Sequence, residues 1–241
     1  FQAEDGIRDE ASCLVGSEMC IRDRRDREEA GRAMAEQLSH RLRERSDLIL
    51  VALPRGGVAV AAAMAEQLHV PVVTWAVRKL VHPSNPEYAI GAIAPEGVVL
   101  WDERHQNDRF LRQPALRERL VQGQEIELER RRRIFNDPPA ASLRGKHLVV
   151  VDDGIATGMT VKAALASLRQ VGPASLTLAV PVLDRRIVAG LRAQVDTLEA
   201  LAVVDHLSSV GEWYRQFPQL QDEEVLRLLS HHKHSAAAME A

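Results

Sequence analysis

The chain has 241 residues, with 31 Lys or Arg against 34 Asp or Glu, for a formal net charge of −3 at pH 7. That balance gives no electrostatic case for nucleic acid or an anionic membrane surface. No apolar run approaches the roughly 20 residues that a membrane-spanning helix needs. Apolar residues make up 46% of the chain and aromatics only 4%, which suits helices packed on a parallel sheet in a soluble, cytoplasmic protein.

Residues 1–24, FQAEDGIRDEASCLVGSEMCIRDR, have neither a helical nor a strand period. AEDGIRD and VGSEMCIRDR resemble translated sequencing-adapter sequence. The segment therefore reads as a non-native or disordered tail ahead of one domain at 25–241. It lacks the basic-then-apolar order of a secretory signal. Both cysteines, Cys13 and Cys20, fall in it, so the body has neither a disulfide framework nor a cysteine metal site. The segment also holds three arginines and six acids, and without it the two signs balance at 28 each.

Residues 26–45 carry Ala30, Met34, Leu38 and Leu42 on one side of a predicted helix. DLILVALP at 47–54 reads as a fully buried strand. Gly56 and Gly57 make a turn, and a helix follows with Ala61, Met64, Ala65 and Leu68 on one face. A second strand spans 70–77. This βαβ unit predicts two parallel strands with a right-handed crossover. Arg78 and Lys79 end the second strand.

The stretch 78–97 has prolines at 83, 86 and 95 and little periodicity. It reads as a long loop, with a weak hairpin as the alternative. Structureless segments of this length inside a domain are usually lids or binding loops, so 80–97 is expected to be mobile and to close over a ligand. A short strand at 98–101 and a charged helix at 114–135 follow. The Arg130–Arg133 run reads as a solvated helix face partnered by Glu125, Glu127 and Glu129.

Strand and helix then alternate: 147–151, 158–171 with a stop at Gly172-Pro173, 175–182, 184–192 and 198–204. Residues 205–217 are irregular and hold Trp213 and Tyr214. A closing helix is predicted at 222–230. His231, His232 and His234 read as a disordered polar end rather than a metal site.

The most informative stretch is HLVVVDDGIATGMT at 147–160. A buried strand delivers Asp152 and Asp153 to a small, hydroxyl-rich turn from which a helix opens. A turn of free N–H groups at a helix N-terminus is an anion site. No Lys follows the second glycine, so this is not a Walker A loop, and G-x-G-x-x-G is absent. An acid pair beside an anion cradle suits a sugar phosphate, with hydroxyls on the acids and phosphate on the loop. LPRGG at 53–57 is a second, weaker nest of the same kind.

VVVDDGIATGMT resembles the phosphoribosyl-pyrophosphate (PRPP) motif of the type I phosphoribosyltransferases. The likeness extends over nearly the whole body. LPRGG, VRKL, NPEYAIGA and VGEWY resemble one bacterial group within that family. It implies an α/β fold, a central parallel sheet flanked by helices, with a small hood built from both chain ends. It implies transfer of ribose 5-phosphate from PRPP to a nitrogenous acceptor such as a nucleobase, with pyrophosphate released, in a nucleotide-metabolism setting such as purine salvage.

Carried over residue by residue, Gly154, Ile155, Ala156, Thr157, Gly158, Met159 and Thr160 would bind the 5′-phosphate. Arg55, Gly56 and Gly57 would bind pyrophosphate. Asp152, Asp153, Arg78 and Lys79 would be catalytic, and Trp213 or Tyr214 would stack on a base or else pack in the core. Mg²⁺ is the implied cofactor, held through PRPP and by Asp152 and Asp153. The implied partners are PRPP, a small-molecule acceptor and a second copy in a homodimer. One departure is Ala156, where 6-oxopurine enzymes carry an Asp that meets the base. A PRPP-binding regulator without turnover, or a hydrolase of a ribose phosphate, would reuse the same cradle.

Overall fold

The structure is a computed structural model that describes residues 24–42, 45, 47–102, 104 and 111–237. Its central sheet has five parallel strands in the order β2-β1-β6-β7-β8: β1 (Leu48–Ala52), β2 (Val72–Thr74), β6 (His147–Val151), β7 (Ser175–Asp184) and β8 (Thr197–Val204). These strands are near-continuous apolar runs because helices cover both faces, so no polar alternation is needed. Leu50, Val149, Val151 and Ala179 face one apolar cluster, while Val51, Leu148, Val150 and Leu178 face the other.

On the first face lie α1 (Arg27–Leu42), α2 (Gly56–Leu68) and α6 (Asp222–Ala237). On the second lies α4 (Met159–Val171), with α5 (Arg185–Arg192) beside it. The expected parallel pairing of β1 and β2 is observed, with Leu50 opposite Val72. After β2 the chain leaves the sheet and returns at β6 on the other side of β1. The strand order therefore reverses between β1 and β6, which is where open α/β sheets form a ligand crevice at their carboxyl ends.

The excursion between β2 and β6 is not the loop expected from the sequence. Residues 78–101 form an antiparallel sheet of β3 (Arg78–His82), β4 (Asn85–Ala94) and β5 (Val98–Trp101). The prolines that suppressed the period fall where they interrupt nothing. Pro83 and Pro95 are in turns, and Pro86 is the second residue of β4. Leu80, Ile90 and Ile93 are buried against Leu128 of α3 (Pro114–Phe135), so these residues form a packed lobe rather than a structureless loop. A β-bulge near Leu80–His82 further blurs the alternation. Asp137, just past α3, ties the lobe to the main sheet by accepting from Thr74 Oγ1 (2.6 Å) and the Ala76 N–H (2.7 Å).

The first described residues meet the segment ahead of the closing helix. The N–H groups of Arg215 and Gln216 donate to the carbonyls of Arg24 and Arg25 at 2.9 and 2.8 Å. The ordered domain thus includes Arg24, and the rest of the expected tail, residues 1–23, lies outside the described residues. The closing helix continues to Ala237, through the three histidines expected to be a disordered end. No described helix is long and apolar enough to cross a membrane.

Candidate active site

The loops after β1 and β6 touch. A Cβ on Gly56 would sit 1.8 Å from Asp153 Oδ2, so only glycine lets the first loop approach the acid pair. The Pro54–Arg55 peptide is cis. Gly56 and Gly57 open α2, whose first turn carries no acidic residue and whose N-cap, Arg55, makes no side-chain cap. The same holds for α4, where Gly158 at the N-cap has φ +74, a left-handed backbone that a Cβ would strain. Neither helix has a side-chain cap, and α4 presents a ready anion site at its N-terminus. At α2 the N–H groups of Gly57 and Val58 already donate to the carbonyls of Leu53 and Arg55, both at 3.1 Å, so the expectation that Gly57 binds pyrophosphate through its N–H is corrected.

Within the second loop the roles divide. Ile155 is buried, its N–H donates to Val182 C=O, and its C=O accepts from Asp184 N–H, both at 3.0 Å. The expectation that Ile155 binds phosphate is corrected: its donor is spent extending the pairing with β7. Gly154 is packed against Val182 and Val210, and Ala156 lies against the same apolar cluster. Thr157 is exposed, and Met159 and Thr160 form the first turn of α4, so the anion-facing stretch runs from Thr157 to Thr160.

The adjacent acids are held differently. Asp153 accepts from Arg27 Nε at 2.8 Å, and this ion pair is largely buried, with side-chain exposures of 9% and 14%. Arg27 also donates to Pro218 C=O at 2.9 Å and lies 3.6 Å over the Phe217 ring. Asp152 accepts the Asp153 N–H, at 2.9 Å, and lines a cavity of about 330 Å³ with Arg78, Lys79 and Thr160. Burial and the neighbouring Asp153 carboxylate push Asp152 well above the usual carboxylate range, and Lys79 partly opposes this. Burial also raises Asp153, while Arg27 pulls it back.

Arg78 and Lys79 open β3 rather than close β2, yet they reach the same cavity. Arg78 donates to Gln124 Oε1 at 3.0 and 3.2 Å. Arg55 is paired with Asp222 at 2.8 Å and donates to Leu220 C=O.

Trp213 and Tyr214 are buried in a cluster with Val182 and Ala202. Tyr214 donates its hydroxyl to Asp153 C=O at 2.6 Å, and burial pushes its pKa up, so it stays a donor. Base stacking by these rings is corrected to packing, because the hood folds them inward. Among the described residues no cluster of three His, Cys, Asp or Glu could hold a metal by itself. The oxygen donors of Asp152 and Asp153 suit Mg²⁺ only when a ligand supplies most of the remaining oxygens.

Sequence reasoning missed Arg27 and Gln124. The signal for Arg27 was there: it lies on the stripe of Ala30, Met34 and Leu38, a cation on an otherwise apolar helix face.

A five-stranded parallel sheet with an acid pair and two glycine-led helix N-termini at its switch point defines an α/β protein with a ligand crevice at the carboxyl ends of its strands. Residues 21–198 match the family model described as a phosphoribosyl transferase domain, and the chain belongs to that family. Two Mycobacterium tuberculosis proteins, from strains CDC 1551 and H37Rv, are named provisionally as phosphoribosyl transferases. Each is 38% identical over 209 residues, covering 85% of this chain and 46% of theirs. The chain thus spans about half the length of these relatives. A crystal structure from Thermus thermophilus matches with a TM-score of 0.69 at 34% identity, covering 87% of this chain and 98% of that one.

Proposed function

We propose that this chain transfers ribose 5-phosphate from PRPP to a nitrogen nucleophile, a nucleobase in the simplest case, with release of pyrophosphate. The observation that carries this reading is the contact between the two loops at the switch point, where Gly56 approaches Asp153 too closely for any side chain. One ligand with an anion at each end and hydroxyls between them fits that arrangement.

The amides from Thr157 to Thr160 hold the 5′-phosphate at the start of α4. Gly56, at the start of α2, meets the pyrophosphate, with Arg55 beside it. Asp152 accepts from the ribose hydroxyls, and Asp153 positions the loop through Arg27. In the reaction the C1–oxygen bond to pyrophosphate breaks as the C1–nitrogen bond forms. Positive charge grows on the ribose ring and negative charge on the leaving group. Asp152 offsets the first, and Arg78 and Lys79 offset the second, in the preorganised manner that lowers barriers most. Asp152 and Asp153, together with oxygens of the ligand, would hold Mg²⁺, which would supply further charge neutralisation.

The test is incubation with PRPP, Mg²⁺ and a panel of bases and amines, with pyrophosphate release assayed. Release that depends on one acceptor supports the reading. PRPP binding without release identifies a regulator, and release with water alone identifies a hydrolase.

A further inference from the structure

The four arginines at 130–133 divide. Arg130 pairs with Glu127 at 3.1 Å and Arg132 with Glu129 at 2.7 Å, both on the solvated side of α3 as the sequence suggests. Arg131 points elsewhere. It lies on the stripe Gln124, Leu128, Arg131, Phe135, spaced four, three and four residues apart, which is one face of a helix. Leu128 and Phe135 are buried, at 5% and 1% exposure. Arg131 is thus carried toward the interior, where it lines the same cavity as Asp152 and Thr160.

Among the described residues Arg131 makes no hydrogen bond or ion pair. Burial, with Arg78 and Arg55 nearby, holds it below the usual guanidinium range, and Asp222 opposes this only in part. Arg131 is half-buried, and a partly buried charge is costly until it is paired. Among the described residues the cavity wall carries Arg78, Lys79 and Arg131 against the single carboxylate of Asp152. Three cations against one anion leave an excess that a singly charged ligand cannot balance. A diphosphate can.

We infer that Arg131 is a pyrophosphate-binding residue, joining Arg78 and Lys79 in a cationic clamp on the diphosphate of the substrate. The inference rests on the PRPP reading above. Gln124, two stripe positions away, orients Arg78, so a single helix face would set two of the three cations. A guanidinium fork also suits two oxygens of one phosphate group.

Calorimetric titration of the full chain and of Arg131→Gln with inorganic pyrophosphate and Mg²⁺, and separately with ribose 5-phosphate, tests this. Arg131→Gln is expected to weaken pyrophosphate about tenfold or more, to leave ribose 5-phosphate within about twofold, and to melt no lower than the parent. Arg131→Lys should recover part of the loss. Equal pyrophosphate affinity in Arg131→Gln and parent, while Lys79→Gln loses it, overturns the role of Arg131 and leaves the PRPP site standing. Equal loss of both ligands with a lower melting temperature makes Arg131 structural and also overturns it. A parent that binds neither pyrophosphate nor PRPP ends the PRPP reading, and Arg131's role with it.

Discussion

The five-stranded parallel sheet and the three-stranded antiparallel lobe bring different chemistry to one cavity. The parallel sheet contributes backbone: two helix N-termini that open on glycine, and an acid pair at the end of β6. The lobe and its helix α3 contribute side-chain cations, Arg78, Lys79 and Arg131, and among the described residues no acid to the cavity wall. Backbone donors are fixed by the fold and cost no side-chain ordering. Long cationic side chains adapt to a group whose charge changes as it leaves. The division predicts that damage to the sheet side abolishes binding or turnover outright, while damage to the lobe side grades the handling of pyrophosphate.

The largest effect is expected at Asp152. Asp152→Asn should lower turnover about a hundredfold or more, since a charge-assisted hydrogen bond is worth roughly 1.5–3 kcal/mol and ring charge is also left unbalanced. Stability should move the other way. Asp152 has a raised pKa in the fold, so its contribution is complete in acid and lost as pH rises through that value. The variant should therefore melt at or above the parent near neutral pH, and the two should converge in acid. A variant that loses turnover and stability together at pH 8 breaks the assignment. Asp153→Asn breaks the largely buried pair with Arg27 and leaves that cation uncompensated, at a cost of about 3 kcal/mol, measured by urea unfolding.

Gly56→Ala comes next. The added methyl meets Asp153 Oδ2, so the loop must retreat. Overpacking of this kind costs roughly 1–3 kcal/mol. PRPP affinity should fall about tenfold or more while the lobe is untouched, as calorimetry would read. Lys79→Ala should lower turnover by roughly ten- to a hundredfold with a smaller change in KM. Equal losses from Lys79→Ala in ribose 5-phosphate and pyrophosphate binding would erase the division between the two regions.

Smaller effects separate scaffold from site. Ile90→Ala in the lobe core should cost about 2–4 kcal/mol, a loss a mobile loop would not show. Asp184, fully buried at the end of β7, accepts from the N–H groups of Arg186 and Leu207 and from the Arg186 guanidinium, which hold it far below the usual range. A depressed acid stabilises above its unfolded pKa and loses that as pH falls through its folded one. Asp184→Asn should thus melt below the parent at pH 5–8, by about 1–2 kcal/mol, with the gap closing only in strong acid.

The sequence by itself determined the parallel sheet, because strands buried on both faces are written as unbroken apolar runs such as LILVA and HLVVV. It also determined the acid pair and the glycine turn after β6, because contiguous residues carry their own order. Only the tertiary structure decided that Asp153 is neutralised by an arginine 126 residues away, that Ile155 spends its N–H on β7, and that Trp213 and Tyr214 turn inward. The lobe was illegible because prolines and a bulge mask a period of two. Arg27 and Arg131 were each visible as a cation on an apolar helix stripe, but a stripe says only that a residue faces inward. What it meets there depends on segments far off in the chain, which packing alone brings together.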